Sequence, residues 1–317
     1  MQSPWFNVLV VVFWLVAMSW LVVEKVLPPL LIGEPPTYRT ILQSQDQQGP
    51  ASPVAWRIEW NESQVGTAAT AYHRTPDEIT EIRSHVSLDM LPLTQAGPAQ
   101  LGIFSRLLDQ GLDELRIDVD STVEIDPLGR LLGMESMVRL GDLPDAIHLQ
   151  GTAEESRLRL TLRAGAFVYT TYLNLSSGGM VGDALTPDSY LPNLRLGQSW
   201  TVPVYSPFRP ALQPMEVLEA HVDREEMIVW NGQLVRTRVV VYRSDEGAGL
   251  NASRQPRGAV WVARDGTVLE QRTDLLGTSL RFVRLPHAAA SADALHERAD
   301  ALHESTSRLS PEVQDEL

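Results

Sequence analysis

The chain has 317 residues, 44 % of them hydrophobic and 21 % charged, a balance that belongs to a folded globular protein. Forty acidic against 26 basic residues leave a formal net charge of -14, which excludes nucleic acid as a partner on electrostatic grounds. No cysteine is present, so a thiol nucleophile, a cysteine zinc site and lipid attachment through an N-terminal cysteine are excluded; Lys25 is the sole lysine, which removes lysine chemistry from everything downstream of it.

In chain order, the first element is an apolar run from Trp5 to Val23, interrupted only by the uncharged Asn7 and Ser19. About 19 residues at 1.5 Å each make a helix of nearly 30 Å, the thickness of a bilayer core. Trp5 and Trp20 near its ends suit headgroup level. A cleaved signal would carry a basic start and a small-residue site after a shorter apolar core. Met1 to Pro4 hold no Lys or Arg, and the candidate site Ala17-Met18-Ser19 lies inside the run. The expectation is an uncleaved transmembrane anchor over residues 1–24, contacting the membrane through residues 5–23.

Residues 25–52 read as a linker, with Pro28-Pro29, Pro35-Pro36 and the polar run Gln43 to Gln48. From 53 to 286 the pattern is mainly strand. Arg116 to Asp120, continuing through Asp126, alternates apolar and charged residues, and Arg157 to Arg163 does so without error, as half-buried antiparallel strands do. Asp126-Pro127-Leu128-Gly129 is a turn, and Asn231-Gly232 and Asp265-Gly266 are hairpin turns. Leu101, Phe104, Leu108, Leu112 and Leu115 recur at helical spacing from Pro98 onward, predicting a helix across the apolar face of the sheet. Ser176 to Leu196 is a long Gly- and Pro-rich loop that divides the domain into candidate halves, 53–175 and 195–286. Residues 287–317 form a helical tail in which ADALHER (292–298) and ADALHES (299–305) nearly repeat, placing Leu295, Leu302 and Leu309 seven apart. The fold class expected is mainly β: an N-terminal transmembrane helix, then a large antiparallel curved sheet or half-open barrel with one or two covering helices.

Catalytic and metal motifs are missing. There is no Gly-x-Ser-x-Gly, no phosphate-binding glycine loop and no His-Glu-x-x-His. Asp118, Asp120, Glu124 and Asp126 resemble a calcium loop, but Val123 stands where glycine is required. His296 and His303 lie about 10 Å apart along a helix, too far for one ion. His73, His85, His148 and His221 are scattered over strands, with no local partner for a Ser-His-Asp site. No catalytic, metal or cofactor residue is assigned, and the chain is read as no enzyme.

The second half has an order that carries a resemblance. Leu194 to Trp200 leads into Thr201-Val202-Pro203-Val204; Glu225 and Trp230-Asn231-Gly232 follow, then Gly258 to Val262 with Asp265-Gly266, and Leu280-Arg281-Phe282. This resembles an uncharacterised family of bacterial envelope β proteins, and is distantly similar to periplasmic lipoprotein and lipid carriers with a half-open β-barrel. The resemblance implies a curved sheet around an apolar cavity, and an extracytoplasmic domain held at the inner membrane with a short cytoplasmic N-terminus. Charge alone does not orient the anchor, since Lys25 lies on the far side. The function expected is a membrane-tethered, non-catalytic binding module for a lipid or other apolar ligand. The alternative is a structural or assembly subunit of an envelope complex that reaches a protein partner through the tail helix.

Overall fold

A computed structural model describes residues 4–23, 35–48, 53–92, 114–141, 143–175, 179–206, 209, 214–244, 256–275 and 278–286. Among these residues lie two helices, α1 (Pro4–Leu21) and α2 (Tyr38–Gln48), and fifteen strands. In chain order the strands are β1 (Val54–Trp60), β2 (Ser63–Arg74), β3 (Thr80–Pro92), β4 (Glu114–Ile125), β5 (Leu131–Leu140), β6 (Leu143–Glu154), β7 (Arg157–Ala164) and β8 (Phe167–Asn174). Then come β9 (Gly182–Asp183), β10 (Ser199–Tyr205), β11 (Met215–Trp230), β12 (Gln233–Ser244), β13 (Pro256–Ala263), β14 (Val268–Leu275) and β15 (Thr278–Arg284).

All fifteen belong to one sheet, in the order β8-β7-β6-β5-β4-β3-β2-β1-β15-β14-β13-β12-β11-β10-β9, antiparallel except where β9 runs parallel to β10. Sequence neighbours pair because the turns are tight. Asn61-Glu62 and Asn231-Gly232 both have positive φ at two successive residues, the backbone that suits the twist of a two-residue hairpin. The two halves of the chain meet in the middle of the sheet, where β1 pairs with β15 from Trp56↔Arg284 to Trp60↔Leu280. Alternation turns Trp56, Ile58 and Trp60 inward beside Phe282 and Leu280, and all five are buried.

The sheet curls. Ser121 on β4 and Ser136 on β5 stand far from β9 in the strand order, yet both reach the Asp183 carboxylate on β9 at 3.2 Å. The inner face therefore encloses one core, which runs from Leu158 and Leu160 on β7 to Tyr205 on β10. A smaller apolar cluster of Val239, Val241 and Trp261 lies apart from it, with the Arg272 guanidinium 4.7 Å above the indole.

The structure differs in detail from several expectations. The segment expected to span a membrane is the 18-residue helix α1, and among the described residues no helix is long and apolar enough to cross one. At 1.5 Å per residue α1 is about 27 Å long. The predicted linker contains α2, whose Tyr38 and Ile41 are buried in the domain. The predicted helix from Pro98 ends too late, because Leu115 belongs to β4 and pairs with Leu91; residues 98–113 lie outside the described residues, as does the tail 287–317 with its heptads.

Phe282 is fully buried at the seam between the halves. Phe282→Ala should cost about 3–5 kcal/mol. Chemical denaturation of the full chain in mild detergent reads this, and a loss below about 1 kcal/mol would show that the seam is not where the core is most tightly packed.

Candidate functional site

The inside of the curled sheet is occupied by the chain itself. The connection between β8 and β10, predicted as a loop, enters the concavity over residues 180–198 as a plug. It is seated strand by strand. The Leu191 amide donates to the Gly266 carbonyl at 2.8 Å, Val268 N–H to the Ser189 carbonyl at 3.3 Å, and Asp188 N–H to Gln271 Oε1 at 2.9 Å. Two arginines donate to its carbonyls, Arg284 Nη1 to Ser189 at 2.9 Å and Arg238 Nη1 to Leu194 at 2.7 Å; the Tyr190 hydroxyl donates to the Asp265 carbonyl. Gly266 has φ +93, and a Cβ there would lie 2.9 Å from the Cα of Pro192, so glycine lets the plug lie against the β13–β14 turn.

Helix α2 closes the other side. The Tyr38 hydroxyl donates to the Val181 carbonyl and accepts from the Val181 amide, both at 3.2 Å. Its N-terminus rests on the β4–β5 turn at Gly129, where a Cβ would meet the Arg39 backbone at 2.5 Å. Burial pushes the Tyr38 phenol well above its ordinary value, so it stays a neutral donor.

Between α2, the plug and strands β2 to β5 remains a cavity of about 80 Å³, lined by Tyr38, Ile82, Met134, Asp183, Asp188 and Ser189 among others. Pockets for drug-sized ligands run to roughly 300–1,000 Å³. The space is roomy enough and polar enough for ordered water. Two hydroxyls on its wall, Thr186 Oγ1 and Ser189 Oγ, are buried without a protein partner and suit such waters.

Two buried carboxyls face this space. Asp183 accepts from Ser121 Oγ and Ser136 Oγ at 3.2 Å and from the Leu185 amide at 2.9 Å. Burial still leaves its pKa above the usual carboxylate range, with those donors offsetting part of the rise. Asp188 accepts a single side-chain hydrogen bond, from Tyr242, and burial pushes it up to about 6. Sequence reading missed both residues. A signal existed at Ser121 and Ser136, which stand at inward positions where the alternation of β4 and β5 calls for apolar side chains.

The scattered histidines do not converge. His85 Nδ1 meets Asp120 Oδ1 at 2.7 Å, and Asp120 goes on to Arg139 at 2.5 Å. Burial works against the Asp120 charge, but the His85 and Arg139 contacts prevail and hold its pKa down. The two neighbouring hydroxyls turn elsewhere, Ser84 donating to Thr70 Oγ1 at 3.2 Å and Ser87 to Asp118 at 2.7 Å. His148 pairs with Glu135 at 2.7 Å, while His73 and His221 lie on β2 and β11. The acidic residues that mimic a calcium loop have other partners: Asp118 takes Ser87 and Arg116, and Asp126 takes Arg130 and the amides of its turn. Among the described residues no three metal-binding side chains gather.

No protein-family model matches the chain, and no curated protein matches it. Among solved structures it is similar to the crystal structure of a beta-barrel-like protein of domain of unknown function DUF1849 from Brucella abortus. The TM-score is 0.44 at 10 % identity, over 74 % of this chain and 96 % of that one.

Asp188 sets a pH signature. Its folded pKa of about 6 lies above the unfolded value of about 3.9. The folded state thus binds the proton first, and stability rises as pH falls through 6. Asp120 and Asp126, held low, lose their contribution only on the acid side of about pH 4. The denaturation midpoint should therefore climb between about pH 7.5 and 5, and Asp188→Asn should flatten the climb. A slope that Asp188→Asn leaves intact would place the titration elsewhere.

Proposed function

We propose that this chain is a non-catalytic module held at a membrane of the cell envelope by α1, with its β domain outside the cytoplasm. It works by contact through the outside and edges of its sheet, as a structural or assembly subunit. One observation carries this reading: residues 180–198 of the chain itself occupy the concave side of the sheet, and the cavity beside them, between α2 and strands β2 to β5, measures about 80 Å³.

Support for the membrane comes from α1. Leu9, Phe13, Trp14, Val16 and Trp20 are all more than half exposed, and a helix with so much apolar surface is costly in water. Support for a non-catalytic role comes from the partners of His85 and His148, which are carboxylates and not an activated hydroxyl.

The lipid-carrier reading becomes the better one only if the plug leaves. An acyl chain needs several times the space present, so loading would have to break the Tyr38 clamp on Val181 and the arginine bonds to Ser189 and Leu194.

Two measurements on membranes containing the full chain test this. Alkaline washing should leave the full chain in the pellet and release a variant lacking residues 1–24; release of both would remove the tether. Photoactivatable fatty acid should label α1 and spare the peptide 180–198. Stoichiometric label on that peptide would overturn the contact reading in favour of a carrier.

A further inference from the structure

The two edges of the sheet are guarded very differently. One ends in β10, which carries Pro203 and is covered over Val204 and Tyr205 by the two-residue strand β9. Proline and short edge strands are the usual protection against strand pairing. The other edge is β8, Phe-Val-Tyr-Thr-Thr-Tyr-Leu-Asn, eight residues long and without proline, charge or a register shift against β7. Among the described residues β7 is its one paired neighbour. No charged residue occurs between Arg163 and Asp183, in a chain of net charge -14.

The phase of the ladder tells which groups β8 offers. Leu175 N–H donates to the Ser156 carbonyl at 2.9 Å, continuing the register in which Leu173 faces Leu158 and Phe167 faces Ala164. Hydrogen-bonded and non-bonded pairs alternate along an antiparallel ladder. The odd residues of β8 therefore bond to β7, and Val168, Thr170 and Tyr172 turn their N–H and C=O groups to the free edge. These same three present exposed side chains on one face; Val168 is 62 % and Tyr172 56 % exposed.

We propose that the free edge of β8 binds β8 of a second copy of this chain, antiparallel and centred on Thr170, joining two sheets into one across a two-fold axis. A two-fold perpendicular to a sheet keeps each face on its own side. Thr170 then pairs with Thr170, Val168 with Tyr172, and Tyr169 with Thr171. The first two kinds of pair are the ones whose backbone groups face the edge, so each can exchange two hydrogen bonds. Thr–Thr and aromatic–β-branched pairs are favourable cross-strand neighbours. The register places no like charges opposite one another, which matters for two copies that otherwise repel. The contact is isologous and uses up the unguarded edge, so it closes at two chains and does not propagate. This inference rests on the sheet edge alone and stands whether or not α1 holds a membrane.

The absence of native cysteine makes the test direct. Thr170→Cys in the full chain, in mild detergent, should form an intermolecular disulfide under gentle oxidation, since the paired Cα atoms come about 5.5 Å apart. Thr161→Cys, one strand inward on β7, should not. In the same detergent, Val168→Lys combined with Tyr172→Lys should lower the protein mass about two-fold by sedimentation, because every introduced lysine then faces an introduced lysine of the other copy. Val168→Lys combined with Tyr172→Glu sets a lysine opposite a glutamate at both positions and should restore the dimer. A monomeric wild-type chain, or a dimer indifferent to both double variants, would overturn the proposal. Cross-linking through Thr161→Cys as readily as through Thr170→Cys would overturn the register.

Discussion

Everything in this molecule depends on the pairing of its first strand with its last. Without the β1–β15 ladder the chain would be two meanders, each with two open edges and an apolar face to cover. Hydrogen bonds along that seam cost little sequence information, since any strand can supply them. What fixes the register is the inward row that it aligns, Trp56, Ile58 and Trp60 against Phe282 and Leu280. A slip of one residue would turn the whole row to the outer face, so burial makes the alignment unique.

A sheet of this width, joined in the middle, must then do something with its concave side. The solution here is internal. The β8–β10 connection folds inward and is held by backbone bonds to β14 and by arginine donors from β12 and β15. Filling a core with an irregular segment brings polar groups inside, and each must be matched. Asp183 is matched by two serines and an amide, and Tyr38 by both backbone groups of Val181. Asp188 is matched less fully, which is why its proton affinity is raised. The polarity of the cavity is thus a consequence of the plug.

The outside of the sheet follows different physics. Its charges pair along and across strands, as in Arg281 between Glu59 and Glu270 or His85 with Asp120 and Arg139. These contacts keep a strongly acidic chain from accumulating unpaired charge on one surface. β8 departs from this pattern in having no charge at all, and it does so at the edge of the sheet, where among the described residues β7 is its one paired neighbour. The proposed function by contact rests on this difference between the two faces of the sheet.

Local chemistry was legible from the sequence by itself. Strict alternation in Arg157–Arg163 and Arg116–Asp126 gives strands because side chains of a pleated chain point alternately to two sides, and Asn231-Gly232 gives a hairpin because both residues accept positive φ. Lack of cysteine, near-absence of lysine and the acidic balance bounded the chemistry before any fold was known. Tertiary structure alone decided the rest. Ser176 to Leu196 read only as a long loop, since glycine and proline mark irregular backbone without saying where it goes. Tyr38 and Ile41 read as linker, since an 11-residue helix with one buried face is set by what it packs on and not by its own propensity. Asp183 and Asp188 are ordinary surface residues in sequence; they became the interior's polar centre only because the curl of the sheet brought β4 and β5 to Asp183 and the plug placed Asp188 beside Tyr242.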